Sequence, residues 1–416
     1  MKTNKSFLTL SLSFGLVSVS PFTQAAGFQL AEYSATGLGR AYAGEAAMAD
    51  NASAQWRNPA MLTYLTGTQI SVGGVYINPN VDVDGEVAGS IDAKSDDYVN
   101  DAVVPNLYLS HQYNDRLYVG LAFGTNYGMI TDLGNDFAAS HFGNKAKVET
   151  MEANLNLGYQ LTPEISLGGG LRYITGEGHF GGSLGGTTLK YMEGDDTALG
   201  WQIGAAWQIN PNHRIGIAYK SAVDLTLAGY AEGAAFGLPS PLRDSGSMDI
   251  TLPATAELAT FHQLTERWAV HTSFNWTDWS SFDQLVADLD TLGNQTVKVE
   301  NWRDSYRFAV GTTYTVSKAL TLRSGLAYDT SAVSDKNRTI TIPEIDRTWF
   351  SLGASYAVSK QLTVDAGATY VYTKEAHIVE SRGYASDDAA EAIGGQFVGD
   401  VSGNIIIFGL QANYVF

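Results

Sequence analysis

The chain of 416 residues contains no cysteine, only 10 prolines and, beyond its N-terminus, no apolar run long enough for a membrane-spanning helix. Without cysteine it can have neither a disulfide framework nor thiol chemistry. A helix needs about 20 consecutive apolar residues to cross a bilayer, so the chain is either soluble or crosses a membrane with β-strands. Positive charge is also scarce, because 25 Lys and Arg face 43 Asp and Glu and leave a net charge of -18. That balance argues against a nucleic-acid partner.

Residues 1–25 have the composition of a signal peptide. Two lysines in the first five residues precede the short apolar stretch FLTLSLSFGLVSVS, and the small residues Thr23 and Ala25 follow at the positions that signal peptidase reads. We therefore expect export from the cytoplasm and a mature chain that begins at Ala26.

Most of the remaining chain has a period of two. In the segment LGWQIGAAWQI, for example, every second residue, beginning with Leu199 and Trp201, is apolar. The positions between them are occupied by Gly, Ala and Gln. Trp268 and Trp276 share the apolar parity of a later segment and lie eight residues apart. At about 3.3 Å per residue and a tilt of about 40°, that separation is roughly 20 Å along a barrel axis, close to the ~25 Å between the aromatic girdles of an outer-membrane barrel.

The connections between these segments alternate in length. The short ones read YNDR, LTPE, NPNH, HQLTER, TVSKA and AVSKQ, and the long ones fall at about 79–101, 129–148, 178–195, 227–245, 279–300, 331–338 and 375–403. Short periplasmic turns and long outer loops are typical of outer-membrane barrels. We predict an all-β protein, a transmembrane antiparallel β-barrel of about 14 strands. Its aromatic last strand, which ends at Phe416, is similar to the signal that the barrel assembly machinery reads.

The alternation along the strands also predicts on which face of the barrel wall the cations lie. If the aromatic parity faces lipid, the inward parity holds Arg172, Arg214, Lys220, Arg303, Arg307, Arg323 and Arg347. These side chains should lie in the lumen, because a charge on the lipid face costs roughly 2–4 kcal/mol at mid-membrane. Most of them should pair with inward carboxylates such as Asp365 and brace the wall. The alternative is that one or two of them bind an anionic ligand.

Residues 26–67 are not patterned as barrel wall. They include TGLGRAYAGEAAMADNASAQWRNPAM, which is rich in Gly and Ala and lacks both strand alternation and the apolar stripe of a long helix. A barrel of about 14 strands encloses more space than its own side chains fill, since ~8 strands already close over a packed interior. We therefore predict that this segment is a plug inside the barrel. A periplasmic tail is the alternative.

The sequence AGFQLAEYSATGLGRAYAGEAAMADNAS…RNPA closely resembles the N-terminal hatch of the FadL-type outer-membrane long-chain fatty acid transporters, the OMPP1/FadL/TodX family. The resemblance continues through SVGGVYINP, TNYG, NWRDSYRFAVGTTY, NRTITIPEIDRTWFSLGASYAVS and the C-terminal strand. It implies a monomeric barrel at 68–416 with a hatch at 26–67, surrounded by outer-membrane lipid and lipopolysaccharide. It also implies passive, ligand-gated uptake of long-chain fatty acids with lateral release, and no enzymatic activity or cofactor.

The resemblance assigns roles to particular residues. Phe28 matches the apolar residue at the inner ligand pocket, and Arg303 falls at a basic position associated with that pocket. The hatch motif needed for transport matches Asn58, Pro59 and Ala60. The kink of the third strand, beside which the wall opens, matches Asn126, Tyr127 and Gly128.

One loop carries more apolar residues than a solvated loop needs, and we expect it to form an outer capture groove. These residues are Met129, Ile130, Leu133, Phe137 and Phe142. The alternative is that they pack on one another above the barrel. Two departures from the family concern the ligand site: the region GEGHFGGSLGG leaves only His179 as a second pocket cation, and the loop at about 178–195 looks short.

Two other functions remain open at this stage. A general diffusion porin would have an open, charged constriction and no plug. Within the family, the alternative ligand is another hydrophobic compound such as an aromatic hydrocarbon. The seven histidines are scattered and no GxSxG elbow occurs, so neither a metal site nor a hydrolase is expected.

Overall fold

The computed structural model describes residues 27–238, 242–381 and 395–416. The predicted signal peptide, residues 1–25, lies outside the described residues. Between Gly27 and Gly67 the chain forms only short helices, whereas from Thr68 onward it is dominated by strands.

The described residues form 21 strands and a few short helices. The strands are β1 (Thr68–Val87), β2 (Ile91–Ser95), β3 (Ala102–Gln112), β4 (Leu117–Gly124), β5 (Gly128–Asp132), β6 (Lys145–Gln160), β7 (Ile165–Leu184), β8 (Thr187–Asn210), β9 (His213–Lys220), β10 (Val223–Glu232), β11 (Asp244–Leu252), β12 (Thr255–Gln263), β13 (Trp268–Thr277), β14 (Gln284–Leu289), β15 (Gly293–Val299), β16 (Ser305–Thr315), β17 (Leu320–Asp329), β18 (Arg347–Ala357), β19 (Leu362–Thr373), β20 (Ala376–Glu380) and β21 (Phe397–Val415). The helices are α1 (Ala35–Leu38), α2 (Ala54–Arg57) and the 3-10 turns Glu45–Ala47, Pro59–Tyr64, Ala234–Phe236 and Trp279–Ser281.

Fourteen of these strands form one closed antiparallel barrel. Each pairs with its neighbour in the order β1, β3, β4, β6, β7, β8, β9, β12, β13, β16, β17, β18, β19, β21. The ring closes where β21 pairs with β1, with Gln69 opposite Val415 and Val87 opposite Phe397. The predicted all-β barrel of 14 strands is confirmed.

All six predicted short connections are turns at one end of the barrel, whereas the opposite end carries the other seven strands as extensions. The expected loop at 178–195 is wrong, because β7 and β8 continue through it as a hairpin. Gly185 and Gly186 turn that hairpin with φ of 56° and 77°, a conformation that Gly adopts without steric cost. The Gly-rich sequence hid the strand alternation at this position.

The two faces of the wall follow the predicted parity. Large apolar side chains such as Leu199 and Trp268 are exposed on the outer surface. Of the seven predicted inward cations, six are buried or half-buried, with the ion pairs Arg172–Glu152, Arg307–Asp329, Arg323–Asp50 and Arg347–Glu344 bracing the interior. Arg303 is the exception.

Arg303 is not among the buried cations of the barrel interior that strand parity predicted. Its side chain is exposed, and it lies two residues before β16 begins at Ser305. Asn301, just upstream, has a φ of 46°, so the chain turns here and strand parity cannot be extended back through it. The guanidinium of Arg303 donates to the carbonyl of Val333 at 3.3 Å.

Residues 27–67 are almost entirely buried and contact strands all around the ring. The contacts fall where the strands carry inward glycines, at Gly120, Gly158, Gly168, Gly204, Gly216, Gly311, Gly325, Gly353, Gly367 and Gly409. A Cβ atom at Gly216 would lie 1.9 Å from the carbonyl oxygen of Ala46, and one at Gly325 would lie 2.1 Å from that of Arg40. Missing side chains on the wall therefore make room for the backbone of the N-terminal segment.

Within the part of the chain that the structure describes, no helix has the length and apolar character needed to cross a membrane.

Candidate functional site

Phe28 lies at the centre of an aromatic cage. Its ring is 4.7 Å from that of Trp279, 5.6 Å from Phe282 and 6.2 Å from Trp302, measured between centroids. Tyr127 completes the cage at 6.1 Å. The cage belongs to a larger buried apolar cluster that includes Met129, Ile174, Phe180, Leu225, Leu252 and Val333. We call this set of residues the Phe28 cluster.

Buried charges flank the Phe28 cluster on the side of the outer loops. The carboxylate of Glu344 accepts a hydrogen bond from the backbone N–H of Gly27 at 2.6 Å and pairs with Arg347 at 3.0 Å. Burial raises the pKa of Glu344, and the charge of Arg347 opposes that rise. The first described residue of the N-terminal segment is therefore held by an acid next to the cage.

Lys298 is a further buried cation beside the Phe28 cluster, and sequence reasoning missed it. Its ammonium lies 3.3 Å from the Glu380 carboxylate and 3.0 Å from the hydroxyl of Thr341. It also lies 5.2 Å from the centre of the Phe180 ring, over which the ammonium of Lys190 lies at 5.4 Å. Two cations thus lie close to the ring of Phe180, at the edge of the Phe28 cluster. The signal in the sequence was a lysine in an otherwise apolar alternation, TVKV, within a predicted loop.

The predicted kink is present as a break between β4 and β5. Three residues, 125–127, separate the two strands, whereas only two residues of β6 lie opposite, between Glu149 and Glu152. Such an extra residue bends the strand inward or outward and disturbs its pairing. Here Tyr127 is buried and its hydroxyl donates to the carbonyl of Pro253 at 2.8 Å, so the kink points inward.

The N-terminal segment is hydrogen-bonded to this kink. The backbone N–H of Leu30 donates to the carbonyl of Asn126 at 2.7 Å, and that of Gly128 donates to the carbonyl of Phe28 at 2.8 Å. Gln29 and Tyr127 form the antiparallel bridge between them. Any movement of the Phe28 backbone away from the kink must therefore break or drag these two bonds.

Beside the kink the wall is unpaired. Strand β3 pairs with β4 only from Leu107 onward, and its first part, Ala102–Asn106, pairs with β1 alone. Above it, Val99 forms a bridge to Thr131. Pro105 lies in the unpaired part, where its lack of an N–H is tolerated. We call this gap, with Ala102–Asn106 on one side and residues 124–128 on the other, the wall window.

A network of buried polar side chains holds the kink in place. The amide of Asn126 donates to Glu152 at 2.6 Å and accepts from Lys220 at 3.1 Å. Arg172 grips the same Glu152 with two hydrogen bonds of 2.8 Å. Such bidentate pairs fix geometry as well as charge.

Asn58, Pro59 and Ala60 lie in a close contact between the N-terminal segment and the wall. The Asn58 amide donates to the carbonyl of Ala46 at 2.6 Å and of Ala205 at 3.2 Å, and it accepts from the N–H of Ala60 at 2.9 Å. A Cβ at Gly168 would lie 2.2 Å from the nitrogen of Ala60. Asn58 thus ties two parts of the segment to each other and to β8.

The apolar residues of the predicted capture loop are mostly buried. Met129 joins the Phe28 cluster, whereas Leu133, Phe137 and Phe142 pack into a separate outer cluster with Val83, Ile340, Ile345, Ile378 and Phe397. Ile130 is half-buried. The structure therefore shows these residues packed together in the outer loops, as in the alternative above, and their role in ligand capture stays a prediction.

Comparisons with known proteins agree with this architecture. Residues 16–416 match the family model described as outer membrane protein transport protein (OMPP1/FadL/TodX). The chain is 30% identical to the long-chain fatty acid transport protein of Escherichia coli K12, over 99% of each chain, and 35% identical to the 47 kDa outer membrane protein of Pasteurella multocida, over 100% of each.

Solved structures share the fold. A FadL homologue of Pseudomonas aeruginosa superposes with a TM-score of 0.83 at 24% identity, covering 94% of this chain and 100% of that one. The toluene transporter TbuX of Ralstonia pickettii gives 0.67 at 16% identity, covering 92% and 98%. The family match over nearly the whole chain, together with the closed barrel, shows that this chain is an outer-membrane transport protein of the OMPP1/FadL/TodX family.

Proposed function

We propose that this protein takes up long-chain fatty acids by passive, ligand-gated diffusion and releases them sideways through the wall window. The observation that carries the proposal is the pair of backbone hydrogen bonds that join residues 28–30 to the kink while the Phe28 ring fills the aromatic cage. A ligand that displaces Phe28 from the cage would act on the kink directly. Binding and opening would then be one event.

The Phe28 cluster is the proposed inner pocket for the acyl chain. It is apolar and aromatic, and each methylene that leaves water for such surroundings gains about 0.8 kcal/mol. Phe28 itself occupies the place that a chain end would take. Exchange of the Phe28 ring for an acyl chain keeps the apolar contacts of the cage and leaves the N-terminal segment free to move.

The carboxylate of the ligand would meet Lys298. This ammonium is buried at Phe180 on the edge of the Phe28 cluster, with Lys190 over the same ring. Lys190 would supply the second cation for which the sequence offered only His179. Arg303 is exposed and bonded to Val333 of the same cluster, so we propose that it attracts the anion at the rim before Lys298 holds it.

Ligand capture is proposed at the outer loops. Met129 and Ile130 lead from the Phe28 cluster toward Leu133, Phe137 and Phe142. A fatty acid that wedges into this outer cluster would find a continuous apolar route inward, with Met129 as the link.

We propose that residues 26–67 are the hatch that keeps the barrel closed, and that Asn58, Pro59 and Ala60 are its gating motif. Its close approach to inward glycines around the ring supports this role, because such contacts leave little space for solutes. The ties of Asn58 to Ala46 and Ala205 would hold the closed state.

Release would occur through the wall window at Asn126, Tyr127 and Gly128. A long acyl chain gains nothing by entering the aqueous periplasm, so movement into the surrounding lipid is the downhill direction. The unpaired edge of β3 already lacks hydrogen bonds to the kink among the described residues, so opening there would cost little sheet structure.

Aromatic hydrocarbons are the second candidate ligands. Two observations favour them: the aromatic cage at Phe28, and the fold shared with the toluene transporters TbuX and TodX. An uncharged hydrocarbon, however, gains nothing from the buried ammonium of Lys298. We therefore place fatty acids first.

Uptake of labelled oleate by cells that lack their own transporter tests the proposal. Cells that express this chain should accumulate oleate several times faster than cells with an empty vector, and labelled toluene should show a smaller difference. Equal oleate uptake with and without the chain would refute the fatty acid assignment, and a larger effect on toluene would favour the hydrocarbon alternative.

A further inference from the structure

Asn106 is a buried polar side chain without a partner. It is 4% exposed, and neither its Nδ2 nor its Oδ1 atom has a hydrogen-bond partner among the described residues. A buried amide with both atoms unpaired is costly, and native proteins keep few such groups without a reason. An apolar side chain of similar size would remove the cost.

The position of Asn106 is the reason to look for a ligand. It is the last residue of the unpaired stretch of β3, immediately before pairing with β4 begins at Leu107. Its inward neighbour on β1 is Gly73. One further step of the β3–β4 register places Gly124 on its other side, where Trp56 approaches to 3.3 Å of a built Cβ. Glycines thus flank Asn106 on both sides at the edge of the wall window, with Trp56 in the space beside Gly124 and Gln411 in the space beside Gly73.

Another unpartnered residue of the same strand shows that the position matters. Ser110 also faces inward, is 2% exposed and has an unpaired hydroxyl. It is paired with Gln69 on one side and Gly120 on the other, and a Cβ on Gly120 would meet the side chain of Gln55 at 2.0 Å. Ser110 thus lies where β3 is paired on both sides, whereas Asn106 lies where the pairing with β4 ends, at the edge of the wall window.

We infer that Asn106 binds the polar head group of the ligand as it passes through the wall window. The inference rests on the proposed function. An amide offers a donor and an acceptor, so it can pair with a carboxyl or a hydroxyl head and replace the water that such a group loses on entering the wall. Lys298 recognises charge, whereas Asn106 recognises hydrogen-bonding capacity, and the two sites therefore differ in the ligands that they distinguish.

Three probes of similar shape separate these properties: oleate, oleyl alcohol and hexadecane. In cells that express Asn106→Leu, the uptake rates of oleate and of oleyl alcohol should both fall about five-fold, the scale of one hydrogen bond, while uptake of hexadecane changes less than about two-fold. Asn106→Ser, which keeps a donor and an acceptor, should restore part of the lost rate. Ser110→Ala is the matched control and should leave all three rates unchanged.

Heat-modifiable migration on gels should first show that each variant is a folded barrel. Unchanged uptake of all three probes by a folded Asn106→Leu barrel would overturn the inference while leaving the proposed function intact. An equal loss for all three probes would overturn it as well, since Asn106 would then only shape the wall. If the wild-type chain failed to take up oleate at all, the proposed function and this inference would fall together.

Discussion

Within the proposed gating motif, Asn58 makes three side-chain hydrogen bonds. Its amide bonds the carbonyls of Ala46 and Ala205 and caps the 3-10 turn that begins at Pro59. Asn58→Ala removes all three bonds and leaves the buried carbonyl of Ala46 and the buried N–H of Ala60 short of a partner, at a cost of about 1–3 kcal/mol each. The barrel strands do not depend on these bonds. We expect a folded, heat-modifiable barrel that has lost oleate uptake.

A suitable control for Asn58→Ala is Asn114→Ala, which removes a turn-capping asparagine at the exposed end of β3 and β4. Normal oleate uptake by well-expressed Asn58→Ala would show that the motif does not gate the hatch. A failure of Asn58→Ala to fold, while Asn114→Ala folds, would instead assign Asn58 a structural role.

Lys298 should distinguish an acid from an alcohol. Lys298→Met alone would leave Glu380 buried next to an apolar side chain, so the informative variant is Lys298→Met with Glu380→Gln. Its affinity for oleate should fall by roughly 1.5–3 kcal/mol, the scale of a hydrogen bond to a charged group, while the affinity for oleyl alcohol barely changes. Equilibrium binding to the purified barrel measures both.

Two single variants serve as comparisons for the affinities of the Lys298 double variant. Lys145→Met removes an exposed ion pair with Asp132 and should alter neither affinity, because exposed pairs contribute little. Arg303→Gln should have a smaller effect on oleate than the Lys298 variant, since its side chain lies at the rim. Equal losses for acid and alcohol would mean that Lys298 only maintains the packing around Phe180.

Strand β7 offers an unusually clean test of how closely the N-terminal segment fits the wall. Gly168 and Gly169 are adjacent and face opposite sides. A Cβ on Gly168 would lie 2.2 Å from the backbone nitrogen of Ala60, whereas one on Gly169 would meet only the carbonyl oxygen of Gln202, at 3.7 Å. Gly168→Ala should therefore displace Pro59 and Ala60, lower the thermal stability and impair oleate uptake. Gly169→Ala should behave as wild type in both assays, and equal behaviour of the two variants would contradict the observed fit.

If ligand leaves through the wall window, a large side chain at the kink should block its release. Gly128→Trp places an indole between β5 and the unpaired edge of β3 and should block oleate uptake without loss of the fold. Gly169→Trp adds the same group to a fully paired, outward position and serves as its control. Undiminished uptake by Gly128→Trp would point to release through the periplasmic end.

The outer loop makes a prediction of its own. Phe137 and Phe142 belong to the outer cluster, and their replacement by Ser together should raise the oleate concentration needed for half-maximal uptake. An unchanged dose response would mean that these rings only hold the loops together. Ile378→Ala, a smaller deletion in the same cluster outside the proposed capture residues, separates lost packing from lost capture.

Features that depend on alternation along one strand could be predicted from the sequence. Features that depend on contacts between distant parts of the chain could not. Alternation placed the strands and the inward Arg172 and Arg307, because side-chain direction follows directly from position along a strand. It failed at Arg303, where a turn interrupts the strand, and it hid the hairpin at Gly185 and Gly186. Lys298 and its partner Glu380 lie on separate strands and meet only in the assembled outer loops, so no local pattern could pair them.

Some predictions depended on the resemblance to the family and could not have come from the alternation of residues alone. Alternation does not indicate that residues 125–127 outnumber their partners on β6, because a break in pairing depends on the register of the neighbouring strand. The glycines that receive the N-terminal segment looked like ordinary lumen residues in the sequence. Their role became visible only with the backbone of Ala46 or Ala60 in contact. That the protein works as a monomer in contact with lipopolysaccharide stays a prediction.

At the level of the complete barrel, a gated transporter and a diffusion porin differ in the lumen. The lumen of the transporter is closed, whereas that of the porin is open. Asp50 of the N-terminal segment pairs with Arg40 at 2.8 Å and with Arg323 of the wall at 3.5 Å. Burial disfavours the charged form of Asp50, but the two guanidinium groups outweigh that effect and hold its pKa well below the usual range. A carboxyl whose pKa is lowered by folding contributes stability above its unfolded pKa, and that stability is lost only as the pH falls through the lowered value.

The tie between Asp50 and Arg323 should therefore remain intact from pH 5 to pH 8. Liposomes that contain the wild-type protein should swell no faster in arabinose than empty liposomes at either pH, whereas a general porin should give rapid swelling at both. Asp50→Asn weakens the attraction for two buried cations, so we expect a lower melting temperature and faster swelling. The control is Asp97→Asn, an exposed residue of an outer loop, which should change neither. Rapid swelling with the wild-type protein would show an open lumen and would favour the porin over the gated transporter.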